Sequence, residues 1–322
     1  MPNLITHTLF AQEAAEKLDP ALLAGRTHLY GVGANGPDFL FFQGLDPKNF
    51  YHKAPLRKFG GKFHHSHVND FYASAISSIR NEKDPEIKAD MIAYVLGHLS
   101  HWALDSTCHP YIFGRTGAYE LDSSTRHHTL ESLLDAAMLK VKKGQTIKEF
   151  YYPAIADCSK EEARAVARIY IPAIEQIFDT KIAPHLIWQS LNDWGRGQRW
   201  FYDYTGNKRK NLRAIEKGLF CENIVSGMII PEVADDNWDI CNLKHKEWVH
   251  PCDASIVSTE SLFDLYDKAL LKAQTAMKLF LEALDGPDKE SAFYEFLGDR
   301  GYDTNMNTDL PMKNFDIIDF KY

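Results

Sequence analysis

Residues 91–109 read MIAYVLGHLSHWALDSTCH. Apolar side chains fall on most faces of a 3.6-residue period, which predicts a buried helix from about Pro85 to Asp105. The same stretch carries His101, Asp105 and His109 at four-residue intervals. Positions i and i+4 lie one above the other on a helix face, so a ring nitrogen and a carboxylate oxygen converge on one point. If the helix ends near Asp105, His109 turns toward a second ion and Asp105 bridges the two. Ionisable groups on a buried helix need partners, because unpaired burial is costly. Metal coordination supplies them, at roughly 2.0–2.2 Å per ligand for zinc.

A second pair of this kind, His127-x3-Glu131, stands in RHHTLESLLD. Helix bundles build dinuclear sites from inward His and carboxylates on facing helices. A single His-x3-Asp pair is most often a surface pair or a satisfied core contact. Two between residues 101 and 131, one on an otherwise apolar helix, favour a di- or trinuclear metal site. His7, Asp38, His64 and His65 are further ligand types with no other evident need. His65, His67, His98 and His128 are neighbours that could substitute for these choices.

The rest of the chain is ordinary by composition. Of 322 residues, 45% are hydrophobic and 25% charged, which excludes collagen-like and disordered classes. A net charge of −8 argues against a protein that tracks along long nucleic acid, but not against a small phosphate-bearing substrate held by metal. Fourteen histidines are present, and eleven precede residue 130. The N-terminus lacks a basic-then-apolar leader, and no apolar run reaches roughly 18–20 residues. Five cysteines (Cys108, Cys158, Cys221, Cys241, Cys252) form no C-x-x-C. These features predict a cytoplasmic protein without a transmembrane segment.

Helical periodicity dominates elsewhere. Helices are expected over 6–18, 65–80, 125–143, 160–180, 182–194, 208–218, 258–285 and 288–297. Residues 24–62, 110–124 and 193–210 (DWGRGQRWFYDYTGNKRK) are expected as loops, the last a lid with five bases. The last 25 residues look polar and irregular. The fold class is all-α. A metal-binding region over 1–205 is followed by a helical C-terminal extension over 206–322.

The order Asp38, His64, HLSHWALDSTCHP (98–110) and HHTLE (127–131) resembles the zinc-dependent phospholipase C family, itself similar in fold and ligands to single-strand-specific zinc nucleases. The resemblance covers roughly residues 1–200. It implies a multi-helix bundle with three zinc ions at the base of a cleft. Asp38, His64, His101 and Asp105 match the ligands of one zinc. His109, His127 and Glu131 match those of a second, and His7 with bridging Asp105 matches part of a third. Asp38 also matches the family's candidate general base. Two features depart from the pattern. Secreted members complete the third site with a mature N-terminal residue, for which the Pro2 amine is the nearest counterpart here. The Asp105–His109 spacing is also two residues shorter. Two or three ions therefore stay open, with iron or manganese as alternatives to zinc.

Such a centre is expected to hydrolyse a phosphodiester or phosphomonoester. Metal polarises the phosphoryl oxygens and lowers the pKa of a bound water to about 7. Metal-bound hydroxide would attack phosphorus in line, with Asp38 orienting the water or taking its proton. A small phosphoester or phospholipid head group is the expected substrate. The alternatives are a nuclease or nucleotidase with the same ligands, and a non-catalytic metal-binding scaffold whose C-terminal extension covers the cleft. Phe39, Phe41, Phe42 and Phe63 flank the candidate cleft and read first as core. The bases Arg196, Arg199, Lys208, Arg209 and Lys210 read first as a solvated run, with a phosphate head group as the alternative. Cys241, His245, His250 and Cys252 form a weaker zinc candidate, for which a plain loop around Trp248 is favoured. Cys108 reads as a small buried residue.

Overall fold

In a computed structural model, residues 4–45, 54–118, 121–221, 223–234 and 236–320 are described. The chain is all-α. The central helix, α5 (Pro85–Thr116), packs against α1 (Leu4–Ala14), α2 (Thr27–Gly33), α4 (Val68–Asn81), α6 (Leu121–Lys143), α7 (Lys160–Phe178) and α10 (Leu262–Asp285). Its start is set by Asp84, whose side chain accepts from Glu86 N at 3.0 Å and Ile87 N at 3.3 Å, and by Pro85 in the first turn. Its end comes at Gly117, in the left-handed region with φ 97°.

The expected end near Asp105 and the loop over 110–124 are corrected: α5 runs on through Pro110 to Thr116, and α6 begins at Leu121. Proline removes one helical hydrogen bond and crowds the preceding turn. Here Cys108, Tyr111, Ile112 and Phe113 are all buried around it, and that packing overrides the local preference.

The expected loop over 24–62 is corrected likewise. Its described part holds α2, a 3-10 turn at Asp38–Phe42 and α3 (Arg57–His65). Gly33, one of the glycines that suggested a loop, serves close packing instead. A Cβ on Gly33 would overlap the Tyr94 carbonyl, and one on Gly97 the Tyr30 carbonyl, so α2 and α5 touch backbone to backbone. The lid expected over 193–210 is instead the end of α8 (Pro184–Phe201) and the start of α9 (Asn207–Gly218). Gly195 and Gly197 allow close approach to the Ala156 carbonyl and the Phe42 ring. The helix expected over 65–80 is broken at His67, whose φ of 63° separates α3 from α4.

The C-terminal part closes the core. Helix α10 lies along α5 and α1, and α11 (Glu290–Leu297) lies on α10 and α4. Capping boxes start α7 (Ser159 with Glu162) and α10 (Ser261 with Asp264). The tail beyond Gly298 has no helix among the described residues, yet Tyr302, Ile318 and Phe320 join the same buried cluster as Leu4 and Phe10. Asp316 N and Ile318 N donate to the Gly114 and Arg115 carbonyls, each at 2.8 Å. Among the described residues, two short antiparallel strands, β1 (Trp248–Val249) and β2 (Val257–Ser258), form the sheet. No helix among the described residues is long and apolar enough to cross a membrane.

Candidate metal centre

Five segments bring the eight predicted residues together. Helix α1 supplies His7; Asp135, one turn beyond Glu131 on α6, anchors its first turn by accepting from Ile5 N, Thr6 N and Thr6 Oγ1 at 3.1, 2.8 and 2.6 Å. Asp38 opens the 3-10 turn just after Gly36. Gly36 has φ 50° and lies so close to the His101 ring that any Cβ would overlap it. His64 lies in the last turn of α3 and donates through Nδ1 to the Gly60 carbonyl at 2.8 Å, which turns Nε2 inward. Because α5 does not stop at Asp105, it presents His101, Asp105 and His109 along one face, and α6 presents His127 and Glu131 opposite.

Asp105 lies at the middle. Its Oδ1 is 3.1 Å from His7 Nε2 and 3.6 Å from His109 Nε2. Its Oδ2 is 3.1 Å from His101 Nε2 and 3.9 Å from His64 Nε2. Asp38 Oδ1 lies 3.1 Å from His64 Nε2 and 4.0 Å from His101 Nε2. Glu131 Oε1 lies 3.1 Å from His127 Nε2 and 3.5 Å from His109 Nε2. The donors fall into three groups: His7, His101 and Asp105; Asp38, His64 and His101; His109, His127 and Glu131. Within each, the donor atoms lie within 4.8 Å of one another. All eight residues are at most 3% exposed.

Many of these atoms have no hydrogen-bond partner in the protein: both ring nitrogens of His7 and His101, Nε2 of His64 and His109, Asp38 Oδ1, Asp105 Oδ2 and Glu131 Oε2. Buried polar atoms are rarely left in that condition, and a cation between them removes the penalty. Imidazole nitrogen and carboxylate oxygen are the donors zinc takes. The residues present therefore fit the expected metal.

Electrostatics agree with mutual dependence. Burial alone would raise the Asp105 carboxyl, but the facing His101, His109 and His7 hold it well below the usual range. Glu131 is held down in the same way by His127 and His109, and Asp38 is lowered by His101 and His64. Burial pulls the His64 imidazole down, but Asp38, Asp303 and Asp105 outweigh it and raise the ring to about 9. His109 is likewise raised to about 10, by Asp105, Glu131 and Asp303.

The neighbouring histidines go elsewhere. His65 is 67% exposed in its side chain and donates to Asp303 Oδ2 at 2.7 Å. His67 pairs with Asp70. His98 is a buried core histidine between the Tyr72 and Tyr170 hydroxyls, at 2.9 and 3.1 Å. His128 is absent from the three groups, and burial depresses it to about 3. Pro2 and His52 lie outside the described residues. Phe39, Phe42 and Phe63 are core, whereas Phe41 is half-buried against the His64 ring at 5.6 Å. Cys241, His245, His250 and Cys252 form no such group among the described residues; His250 pairs with the Thr304 carbonyl and His245 with that of Thr259. Burial pushes the Cys108 thiol up.

Two contributors escaped the sequence. Tyr302 accepts at its carbonyl from His109 Nδ1 at 3.1 Å, and its N–H donates to the His64 carbonyl at 2.7 Å. Asp303 Oδ1 lies 3.8 Å from His109 Nδ1. Histidine ligands are commonly oriented through their second nitrogen in this way. The only local signal was an acid in a glycine-punctuated stretch, GDRGYD (298–303).

A family model described as zinc-dependent phospholipase C matches residues 6–176, just over half of the chain. The matched span takes in all eight residues from His7 to Glu131 and ends before the tail that carries Tyr302 and Asp303. No curated protein and no solved structure matches the chain. An all-α fold, three convergent His and carboxylate groups and this match together place the chain in the zinc-dependent phospholipase C family.

Proposed function

We propose that His7, Asp38, His64, His101, Asp105, His109, His127 and Glu131 hold two or three zinc ions, and that the protein is a phosphoesterase acting on a phospholipid head group or a related small phosphoester. The family and the ligand groups support a metal-dependent hydrolase. The observation that carries the finer reading is the convergence of buried, partnerless donor atoms around Asp105. Bound zinc supplies Lewis acidity to phosphoryl oxygens and lowers the pKa of water. Asp38 is kept ionised by His101 and His64, so it can orient the attacking water and accept its proton. Asp105 spans the groups with its two oxygens. Half-buried Phe41 supplies an apolar wall beside His64.

We take residues 1–205 as the metal-binding region and 206–322 as an extension packed on it. A reducing, cytoplasmic compartment is supported by five cysteines, none in a disulfide. Metal analysis of purified protein should find at least two zinc per chain, and the loaded protein should hydrolyse phosphatidylcholine or a chromogenic phosphocholine ester. Preference for single-stranded DNA or nucleotides in the same assay would move the assignment to the nuclease class. Absence of any restorable transition metal would overturn it.

A further inference from the structure

Helix α9 is unlike the rest of the surface. Residues 207–221 hold five bases (Lys208, Arg209, Lys210, Arg213, Lys217) and one acid, Glu216, in a chain of net charge −8. That acid is not at the surface. Glu216 is buried and accepts from Val225 N at 2.6 Å and from Ser226 N at 3.0 Å, and Lys210 and Lys217 are the exposed bases of the helix.

The same segment exposes large apolar side chains. Ile215 and Leu219, one turn apart on one face, are 58% and 68% exposed, Phe220 is 98% exposed, and Ile224 follows. Phe220 has a φ of 56°, an uncommon conformation for a bulky residue, and it turns the ring into solvent. Exposed Trp200 and Tyr204 lie at the N-terminal end of the helix, where the Lys208 ammonium is 5.5 Å from the Trp200 ring.

The patch is held rigidly. Lys208 Nζ donates to the Trp200 and Tyr202 carbonyls, Arg209 N donates to Asp203 at 2.8 Å, and Glu216 ties the helix to the turn at Ser226–Met228. That turn is fastened to α6, where the Ser132 hydroxyl donates to the Gly227 carbonyl at 2.7 Å, beside Glu131. The surface is therefore fixed relative to the metal centre by a single helix.

A basic helix with protruding apolar and aromatic side chains is complementary to an anionic lipid surface: the bases meet headgroup charge and the apolar groups enter the acyl boundary. We propose that Ile215, Leu219, Phe220 and Ile224, with the exposed Lys210 and Lys217, form a docking surface for an anionic bilayer. Binding needs no turnover, so the outcome is independent of the phosphoesterase reading. Zinc-loaded full-length protein is sedimented with phosphatidylcholine vesicles with and without phosphatidylserine. Binding should be at least about tenfold tighter to the anionic vesicles and lost in molar salt. It should fall at least about tenfold in the pair Ile215→Asp and Leu219→Asp, and likewise in the pair Lys210→Glu and Lys217→Glu. Phe220→Ser is the milder variant should a pair fail to fold, with circular dichroism as the check. No preference for anionic vesicles, binding unmoved in the folded variants, or an apolar patch covered by a second copy (a dimer by light scattering that Leu219→Asp dissolves) would overturn the proposal.

Discussion

Asp105 and Asp303 show how differently two buried carboxylates can serve one site. Asp105 lies among four imidazoles, and Glu131 completes a group with His109 and His127. Glu131→Gln should lower bound zinc by about one ion per chain, counted by mass spectrometry of the metal, because a neutral amide is a poor zinc donor. Asp303 acts one step back, beside His109 Nδ1. Asp303→Asn should leave ion count unchanged at saturating zinc but weaken affinity by about 10–100-fold in a chelator competition. Equal affinity in the variant would remove Asp303 from the site. Gly36 is a third case. Gly36→Ala adds a Cβ in a left-handed conformation against the His101 ring, whereas Gly206→Ala at φ 72° meets nothing within 4 Å. In urea unfolding, the Gly206 variant should lose about 1 kcal/mol. The Gly36 variant should lose more than about 2 kcal/mol and also bind less zinc.

Among elements, α5 and α2 set the geometry of the centre. Their backbones meet at Gly33 and Gly97, and the chain leaving α2 leads directly to Gly36 and Asp38. Gly97→Ala sets a methyl against the Tyr30 carbonyl, which cannot move aside as a flexible side chain would. It should lower stability by about 2–3 kcal/mol in urea unfolding. A neutral effect would mean that the two helices separate freely. The same crossing explains what was illegible in the sequence. Glycine is a turn signal and also a packing residue, and composition does not distinguish the two. Helix α2 and the C-terminal half of α8 were therefore read as loops, while α7, α9 and α10, whose apolar periodicity is free of internal glycine, were read nearly to their ends.

For the whole molecule, metal and fold should be coupled. Eight ionisable residues at most 3% exposed, from five separate segments, sit within one core that runs from Leu4 to Phe320. A ligand at a hundred times its dissociation constant stabilises the native state by about 2.7 kcal/mol. Chelation should therefore lower the thermal midpoint by about 4 °C, reversibly on restoring zinc, as read by calorimetry. An unchanged midpoint would mean that the centre does not hold metal.

The sequence by itself determined the all-α class and named the eight residues that the fold draws together. The class rests on a local signal, the 3.6-residue period. Five of those residues carry local signals, His101, Asp105, His109, His127 and Glu131, by His and carboxylate at i and i+4 on the same helix face; His7, Asp38 and His64 were singled out through the family resemblance. Only the tertiary structure decided that α5 passes through Pro110, that Asp135 anchors the helix bearing His7, and that Tyr302 and Asp303 support His109. Each of these depends on contacts between residues far apart in the chain, made by burial and hydrogen-bond demand in three dimensions, and no periodicity along the chain records them.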